Sequence, residues 1–145
     1  GREVLDHIKD MKYIVIDHDP EIVDALKSHN CIYGVPDNHY TLDLLGVKKA
    51  RFIIITAPDY PMASFVIEES RKVNKKIKIM ARATSIEEAL GLYKVGADIV
   101  MIPEVLTGKE MAKKLGEMIK GKDFEKEREE HITAFGKAFS DRFLI

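Results

Sequence analysis

Hydrophobic residues along the chain alternate between short β-branched runs and longer segments of helical period. The short runs predict five strands, over residues 12–17, 31–34, 51–56, 77–82 and 98–102. The longer segments predict six helices, over residues 3–10, 20–29, 39–45, 60–73, 86–95 and 108–120. Strands that alternate with helices are typical of a parallel sheet covered by helices, so we predict an α/β fold with a doubly wound parallel sheet.

Local signals predict where the helices begin and end. Asp19 precedes Pro20 as an N-cap, and Ser85 with Glu88 forms a capping box. Thr107 is expected to open the last of the six helices. Three helices are expected to end at glycines: Gly46, Gly96 and Gly121.

The chain is long enough for one ordinary hydrophobic core, and residues 1–120 contain every predicted strand. Residues 121–130 form a charged segment that predicts a hinge. Residues 131–145 are apolar again and predict a helical tail. We expect this tail to dock on the domain or on a second subunit, giving a homodimer or a higher assembly, because of its apolar side chains. They are Ile132, Phe135, Phe139, Phe143, Leu144 and Ile145.

Composition narrows the classes of partner. The 23 Lys and Arg residues nearly balance the 24 Asp and Glu residues, so no overall positive field favours nucleic acid. Cys31 is the single cysteine and has no intrachain partner, which fits a reducing compartment. No apolar run reaches the roughly 18 residues that a membrane span needs. The five histidines show no metal-ligand spacing, so we predict no metal site.

The strongest chemical signal is a hydrophobic strand that ends in Asp17. In a Rossmann-like fold the acidic residue at the end of the second strand accepts hydrogen bonds from the adenosine ribose and repels a 2′-phosphate. Asp17 therefore favours NAD(H), AMP, ADP or ATP over NADP(H). The other interpretation is a solvated turn aspartate that caps the next helix.

Gly1 and Arg2 stand directly before the first helix, as the end of a glycine-rich phosphate loop would. The other interpretation of Gly1 is that it is a residue left over from cloning. If Gly1 ends such a loop, the visible strands take places two to six in the order 3-2-1-4-5-6. We therefore expect one of three arrangements: the first strand and the glycine loop lie upstream of Gly1, the sheet closes up without that strand, or residues 142–145 fill its place.

The blocks KYIVID, Tyr33-Gly34, LLGVKKARFIIITAPD and IKIMARATSIEEALGLYKVGADIVMIPEVLTGKEMA occur in one order along residues 1–120. In that order and spacing they resemble the RCK/Trk-type NAD-binding N-terminal domain. The resemblance implies a Rossmann-like regulatory domain that binds NAD(H), AMP, ADP or ATP and is not an enzyme. It also implies a membrane-embedded cation channel or transporter as partner, in the same or a separate chain, and a cytoplasmic position at the inner face of the membrane. Whether that partner is a channel, an uptake system or an antiporter stays open.

The resemblance also implies site residues. The family's turn after its third strand reads Gly-Asp-Ala, with the Asp at the adenine; this chain has Val35 in that place and Asp37 two positions later. After the next two strands the family contacts the nucleotide at positions that match Thr56 and Arg82. The full expected set is Gly1, Arg2, Asp17, Val35, Asp37, Thr56, Ala57, Pro58 and Arg82. Arg82 could instead form a surface ion pair, and Glu104 fits better as a carboxylate at a helix N-terminus.

Two other function classes can be weighed from the sequence. An NAD-dependent oxidoreductase needs a catalytic domain with a general acid or base, and about 25 residues after the sheet do not supply one. A phosphorylation receiver domain needs an acceptor Asp and a Lys at the places that hold Thr56 and Ile102 here. Phosphotransfer is therefore rejected on its chemistry.

Overall fold

The computed structural model describes residues 1–8 and 10–143. Two compact units make up the chain, Gly1–Glu104 and Val105–Ile145. Five strands lie in the first unit: β1 Val15–Asp17, β2 Cys31–Tyr33, β3 Phe52–Ile55, β4 Lys78–Arg82 and β5 Ile99–Met101. Five helices lie with them: α1 Arg2–Ile8, α2 Pro20–Ala25, α3 His39–Leu44, α4 Tyr60–Val73 and α5 Ile86–Lys94. Helix α6 spans Pro103–Ile119, so it begins in the first unit, and α7 spans Glu125–Phe143.

All strand pairs are parallel. β1 pairs with β2, with Asp17 opposite Tyr33, and β4 lies between β3 and β5. These neighbours are the ones that the order 3-2-1-4-5-6 assigns to strands two to six, which agrees with the predicted fold. Within residues 1–8 and 10–143 no ladder joins β1 to β3.

The hydrophobic core lies on one face of the β3–β4–β5 sheet. Ile55, Ile79 and Ala81 are buried there, in one cluster with Val66 of α4 and Leu92 of α5. Strand side chains alternate between the two faces, so the next residues point the other way. On that opposite face lie side chains that stay exposed: Phe52, Ile54, Ile99 and Met101.

The predicted helix starts are confirmed for α2 and α5. The Asp19 carboxylate accepts a hydrogen bond from the Glu21 N–H at 2.9 Å, and the Ser85 hydroxyl accepts one from the Glu88 N–H at 3.1 Å. Glu88 reaches back to the Thr84 N–H at 2.8 Å and the Thr84 hydroxyl at 2.7 Å. These Thr84 hydrogen bonds hold the pKa of Glu88 below its ordinary value.

Other predicted boundaries were wrong. Helix α6 begins at Pro103 and not after Thr107, because proline at a first helical position already has the helical φ. Helix α2 ends at Ala25, four residues before the predicted end, and α7 begins at Glu125, inside the predicted hinge. Because α7 continues through Phe143, the proposed strand at the C terminus is wrong for residues 142–143. Leu144 and Ile145 lie outside the described residues.

The division of the chain at residue 120 stays a prediction, since α6 runs from Pro103 to Ile119 without a break. Among the described helices, none is both long enough and apolar enough to cross a membrane.

Arg71 ties the end of α4 to the amino-terminal edge of the sheet. Its Nε donates to the Gly96 carbonyl at 2.9 Å, and Nη1 donates to the Ile77 carbonyl. Its Nη2 donates to the Asp98 carboxylate at 2.6 Å. The same carboxylate accepts a hydrogen bond from the Ile79 N–H at 2.7 Å. Arg71 and Asp98 together therefore hold the segments that lead into β4 and β5.

Gly91 sets the spacing between α4 and α5. A Cβ atom at this position would collide with the ring and hydroxyl of Tyr60, the first residue of α4. Only glycine lets the two helices approach with Tyr60 in this place.

We expect Asp98→Asn to lower the free energy of unfolding by about 1 kcal/mol at pH 7, because it weakens charged hydrogen bonds at a site that is a third exposed. The Ile79 N–H, followed by Arg71 and Lys78, holds the pKa of Asp98 below its ordinary value. Such a group stabilises the fold above its unfolded pKa of about 3.9, and this contribution is lost as the pH falls through the lower folded pKa. The difference in the free energy of unfolding between Asp98→Asn and the native protein should therefore become smaller below about pH 4.

Urea unfolding at several pH values measures this difference. Asp43→Asn is the matched control, because Asp43 pairs with Lys48 at 3.1 Å on the surface and should change stability by less than about 0.5 kcal/mol. If both variants lowered the free energy of unfolding equally at pH 7, the hydrogen bonds of Asp98 would contribute no more to stability than a surface ion pair does.

Candidate functional site

The carboxyl ends of the strands bring several of the expected site residues to one side of each sheet. β1 ends at Asp17, β2 at Tyr33 and β4 at Arg82, while Thr56 follows the last residue of β3. Parallel strands all present their carboxyl ends in the same direction, and open α/β sheets bind ligands beyond those ends. Asp17 and Tyr33 thus lie at the carboxyl edge of the β1–β2 sheet, and Thr56 and Arg82 lie at the carboxyl edge of the β3–β4–β5 sheet.

Asp17 is held in place by the backbone that follows it. Its Oδ1 accepts a hydrogen bond from the Asp19 N–H at 3.0 Å, and its side chain is 34% exposed. The N-cap of α2 is Asp19, so Asp17 does not cap that helix. Asp17 therefore does not cap α2, but its hydrogen bond from the Asp19 N–H is that of a turn aspartate, so this part of the alternative interpretation stands and the ribose contact stays a prediction.

The loop after β2 begins beside Asp17. The Gly34 N–H donates to the Asp17 carbonyl at 2.9 Å, which joins the ends of β1 and β2. Val35 is exposed, and the Asp37 carboxylate is also exposed but accepts a hydrogen bond from the Asn38 side chain at 2.7 Å. Val35 and Asp37 thus lie in the loop that follows Asp17's neighbouring strand.

Gly1 and Thr56 are brought together although 55 positions separate them. A Cβ built on Gly1 would lie 3.5 Å from the Thr56 hydroxyl oxygen. The Gly1 carbonyl accepts hydrogen bonds from Val4 at 3.0 Å and Leu5 at 3.2 Å, so Gly1 precedes the first turn of α1 and Arg2 begins that helix. Ala57 and Pro58 follow Thr56 in the loop to α4, with Thr56 and Pro58 exposed and Ala57 half-buried.

Arg82 has an unusual environment at the end of β4. The residue is half-buried, and its Nε is buried without a hydrogen-bond partner within the described residues. An unpaired buried donor costs about 1–3 kcal/mol. No ion pair of Arg82 occurs in residues 1–8 and 10–143, which argues against the surface ion-pair interpretation.

Glu104 lies in the first turn of α6, where a carboxylate is favoured by the helix dipole, as expected. Within residues 1–8 and 10–143, no three His, Cys, Asp or Glu side chains are grouped to hold a metal ion.

Sequence reasoning did not select Tyr33 or Cys31. Both lie on β2 on the face that carries Asp17, because Asp17 is opposite Tyr33 and Val15 is opposite Cys31. Burial raises the pKa of the Cys31 thiol, and the charge of the nearby Asp17 carboxylate raises it further. The place of Tyr33 at the end of a predicted strand was a usable signal, but its exposure was not visible in the sequence.

Replacing Arg82 by methionine should raise the free energy of unfolding by about 1 kcal/mol, because the apolar stem is kept and the unpaired buried donor is removed. Arg71→Met is the matched control. Arg71 donates hydrogen bonds to the Gly96 and Ile77 carbonyls and to the Asp98 carboxylate, so its replacement should lower the free energy of unfolding. Thermal and urea unfolding measure both changes. Destabilisation by Arg82→Met as large as that by Arg71→Met would contradict the assignment of Arg82 as unsatisfied.

Known proteins support this fold over most of the chain. An uncharacterized protein from Methanothermus fervidus is 30% identical over 104 residues, which cover 69% of this chain and 16% of that protein. The TrkA-N domain of the inner membrane protein YbaL from Escherichia coli has a similar structure, with a TM-score of 0.74 and 24% identity over 79% of this chain and 88% of that domain.

Two further structures are similar. The GsuK channel bound to NAD has a TM-score of 0.68 and 28% identity over 80% of this chain and 21% of that channel. The Kef CTD of Shewanella denitrificans in AMP-bound form has a TM-score of 0.70 and 19% identity over 99% of this chain and 92% of that chain. The family model of the TrkA-N domain matches residues 1–103, which include every strand. The chain belongs to the TrkA-N domain family.

Proposed function

We propose that this protein is a regulatory domain that binds an adenosine nucleotide, NAD(H), AMP, ADP or ATP, and thereby controls a membrane-embedded cation channel or transporter. The observation that carries the proposal is the set of groups at the carboxyl ends of the strands. They are an oriented acceptor at Asp17, a hydroxyl at Thr56 and, at Arg82, a half-buried guanidinium whose Nε has no hydrogen-bond partner among the described residues. A nucleotide offers the complementary groups in its ribose hydroxyls and phosphates.

Asp17 suits the ribose of the nucleotide. One carboxylate oxygen is fixed by the Asp19 N–H, which orients the group without neutralising it. The ionised carboxylate accepts hydrogen bonds from ribose hydroxyls and repels a phosphate at the 2′ position. The proposal therefore favours NAD(H) and simple adenosine nucleotides over NADP(H).

Arg82 suits a phosphate group. A guanidinium is always charged and presents several donors to phosphate oxygens. In this protein one of those donors is buried and unpaired, so an anion that reaches it would satisfy a group that the fold leaves unsatisfied. Thr56 and the backbone of Gly1 lie beside each other at the end of β3 and form a second polar contact for the same ligand.

The relatives support this class of ligand. The structure of the GsuK channel contains NAD, and that of the Kef CTD contains AMP. The chain covers 21% of the GsuK channel, so the control of a channel or transporter by this domain is part of the proposal. A position on the cytoplasmic side of the membrane, beside such a partner, follows from the same proposal.

Regulation fits the site better than catalysis. The expected contacts bind and orient a nucleotide, and no general acid or base has been assigned among them. Binding can act on a partner if the nucleotide prefers one of two conformations, and such coupling typically amounts to about 1–3 kcal/mol. An oxidoreductase stays the second candidate and would be supported by consumption of NADH with a carbonyl substrate.

Helix α7 supports a homo-oligomer. Ile132, Phe135 and Phe139 follow one another at helical spacing, and each side chain is more than half exposed. An apolar stripe on an otherwise charged helix is typical of a surface that packs against another helix. We propose that this stripe packs against a second copy of the chain.

Asp17→Ala should weaken binding of NAD and AMP by about 10- to 150-fold, the loss of one charged hydrogen bond of about 1.5–3 kcal/mol. The same change should weaken the binding of NADP less, because the carboxylate charge that repels the 2′-phosphate is removed. Calorimetric titration of each nucleotide into both proteins measures the changes, with Asp43→Ala as a surface control. Equal affinity of the native protein for NAD and NADP would defeat the role of Asp17.

Serine at both positions 132 and 135 should convert the oligomer to a monomer, because each change removes apolar area from the proposed contact. Size-exclusion chromatography with light scattering measures the mass. Lys137→Ser, on the opposite side of α7, is the control and should leave the assembly intact. A native chain that is monomeric at micromolar concentration would refute the oligomer.

A further inference from the structure

Tyr33 is an exposed aromatic residue at the carboxyl end of β2. Its side chain is 64% exposed, and within the described residues it makes no hydrogen bond. Three tyrosines of the first unit are engaged: Tyr13 bonds His29, the Tyr93 hydroxyl accepts from the Val100 N–H, and Tyr60 lies against Gly91. Tyr40 is exposed as well, but it lies on α3, so Tyr33 is distinguished by its place at a strand end and not by its exposure alone.

The position of Tyr33 relative to Asp17 is fixed by the sheet. The two residues are register partners in the β1–β2 ladder, so their side chains leave the same face. Neighbouring strands lie about 4.8 Å apart, which places the aromatic ring one strand to the side of the carboxylate. The Gly34 N–H that donates to the Asp17 carbonyl at 2.9 Å holds the two strand ends together directly after this pair.

A nucleoside has the same arrangement of groups. Its base lies immediately beside its ribose, so a ribose held by Asp17 brings the base over the neighbouring strand end. Bases stack readily on exposed aromatic rings, because every base has a π-face. Gly34 follows Tyr33 without a side chain, and Val35 adds an exposed apolar surface next to it.

We propose that Tyr33 stacks on the adenine ring of the bound nucleotide and thereby contributes affinity for the base, while Asp17 holds the ribose. The inference rests on the proposed nucleotide function. It adds a residue that recognises the base through its ring, in a loop where the acidic side chain of Asp37 is already bonded to Asn38. Tyr33 acts here as a specificity residue and takes part in no reaction.

The test compares a ligand that has a base with one that lacks it. AMP and ribose 5-phosphate are titrated calorimetrically into the native chain, Tyr33→Phe and Tyr33→Leu. We expect Tyr33→Leu to raise the Kd of AMP about tenfold and to leave the Kd of ribose 5-phosphate unchanged. Tyr33→Phe keeps the ring and should bind both ligands as the native protein does.

Phe52→Leu is the matched control. Phe52 is also an exposed aromatic residue, 51% exposed, but it begins β3 and so lies at the amino end of its strand. Its replacement should leave both Kd values unchanged. The chain contains no tryptophan, so Tyr33→Trp supplies a single emission signal that AMP should quench and ribose 5-phosphate should not.

Each outcome decides the inference. An AMP Kd within twofold of the native value in Tyr33→Leu would overturn it, and so would equal weakening of AMP and ribose 5-phosphate, which would indicate a structural role. If the native chain binds neither ligand, the proposed nucleotide function itself fails, and this inference fails with it. If the native chain binds AMP and only Tyr33→Leu loses affinity for AMP, both the nucleotide function and the role of Tyr33 are supported.

Discussion

The common direction of the strands is the constraint on which the rest of the structure depends. Parallel pairing fixes Asp17 opposite Tyr33 and Arg82 opposite Met101. It also requires consecutive strands to be joined by a crossover segment, so the two edges of each sheet receive different loops. The amino edge receives the ends of helices, and the carboxyl edge receives the loops that begin helices. Chemical groups at the two edges therefore have different surroundings.

The two half-buried arginines of the first unit illustrate this difference. Arg71, near the amino edge, donates to three backbone carbonyls and to the Asp98 carboxylate, so its charge is paired and all three of its nitrogens are bonded inside the fold. Arg82, at the carboxyl edge, keeps a buried Nε without a partner among the described residues. Two buried side-chain atoms lack a hydrogen-bond partner among the described residues: the Ser70 hydroxyl, inside α4, and the Arg82 Nε. Of the two, the Arg82 Nε lies at the strand end where a ligand is proposed.

The sequence predicted the elements whose signals are local. Asp19 and Ser85 cap helices as expected, because a cap needs only its own turn, and the order of strands follows from the alternation of helix and strand. The start of α6 was missed because Thr107 is also a good cap residue, and the choice of Pro103 depends on where β5 ends. Asp17 was selected from its position at a strand end, and Arg82 from the resemblance to the RCK/Trk-type domain. The unpaired state of the Arg82 Nε, the exposure of Tyr33 and the proximity of Gly1 to Thr56 depend on three-dimensional packing, which no local pattern contains.

The contact between Gly91 and Tyr60 has a mechanical consequence. Tyr60 begins α4 after the loop of Thr56, Ala57 and Pro58 and the N-cap Asp59, and its ring leaves no room for a Cβ atom at Gly91 of α5. Packed interiors do not compress, so a displacement of α5 toward α4 must push Tyr60 and the loop that precedes it. A shift of α5 toward α4 would therefore reach this loop through the Tyr60 ring as well as through the core packing of Val66 and Leu92. The outer surface of α5, where Ile86 and Leu90 are exposed, is the face on which a partner could cause such a shift.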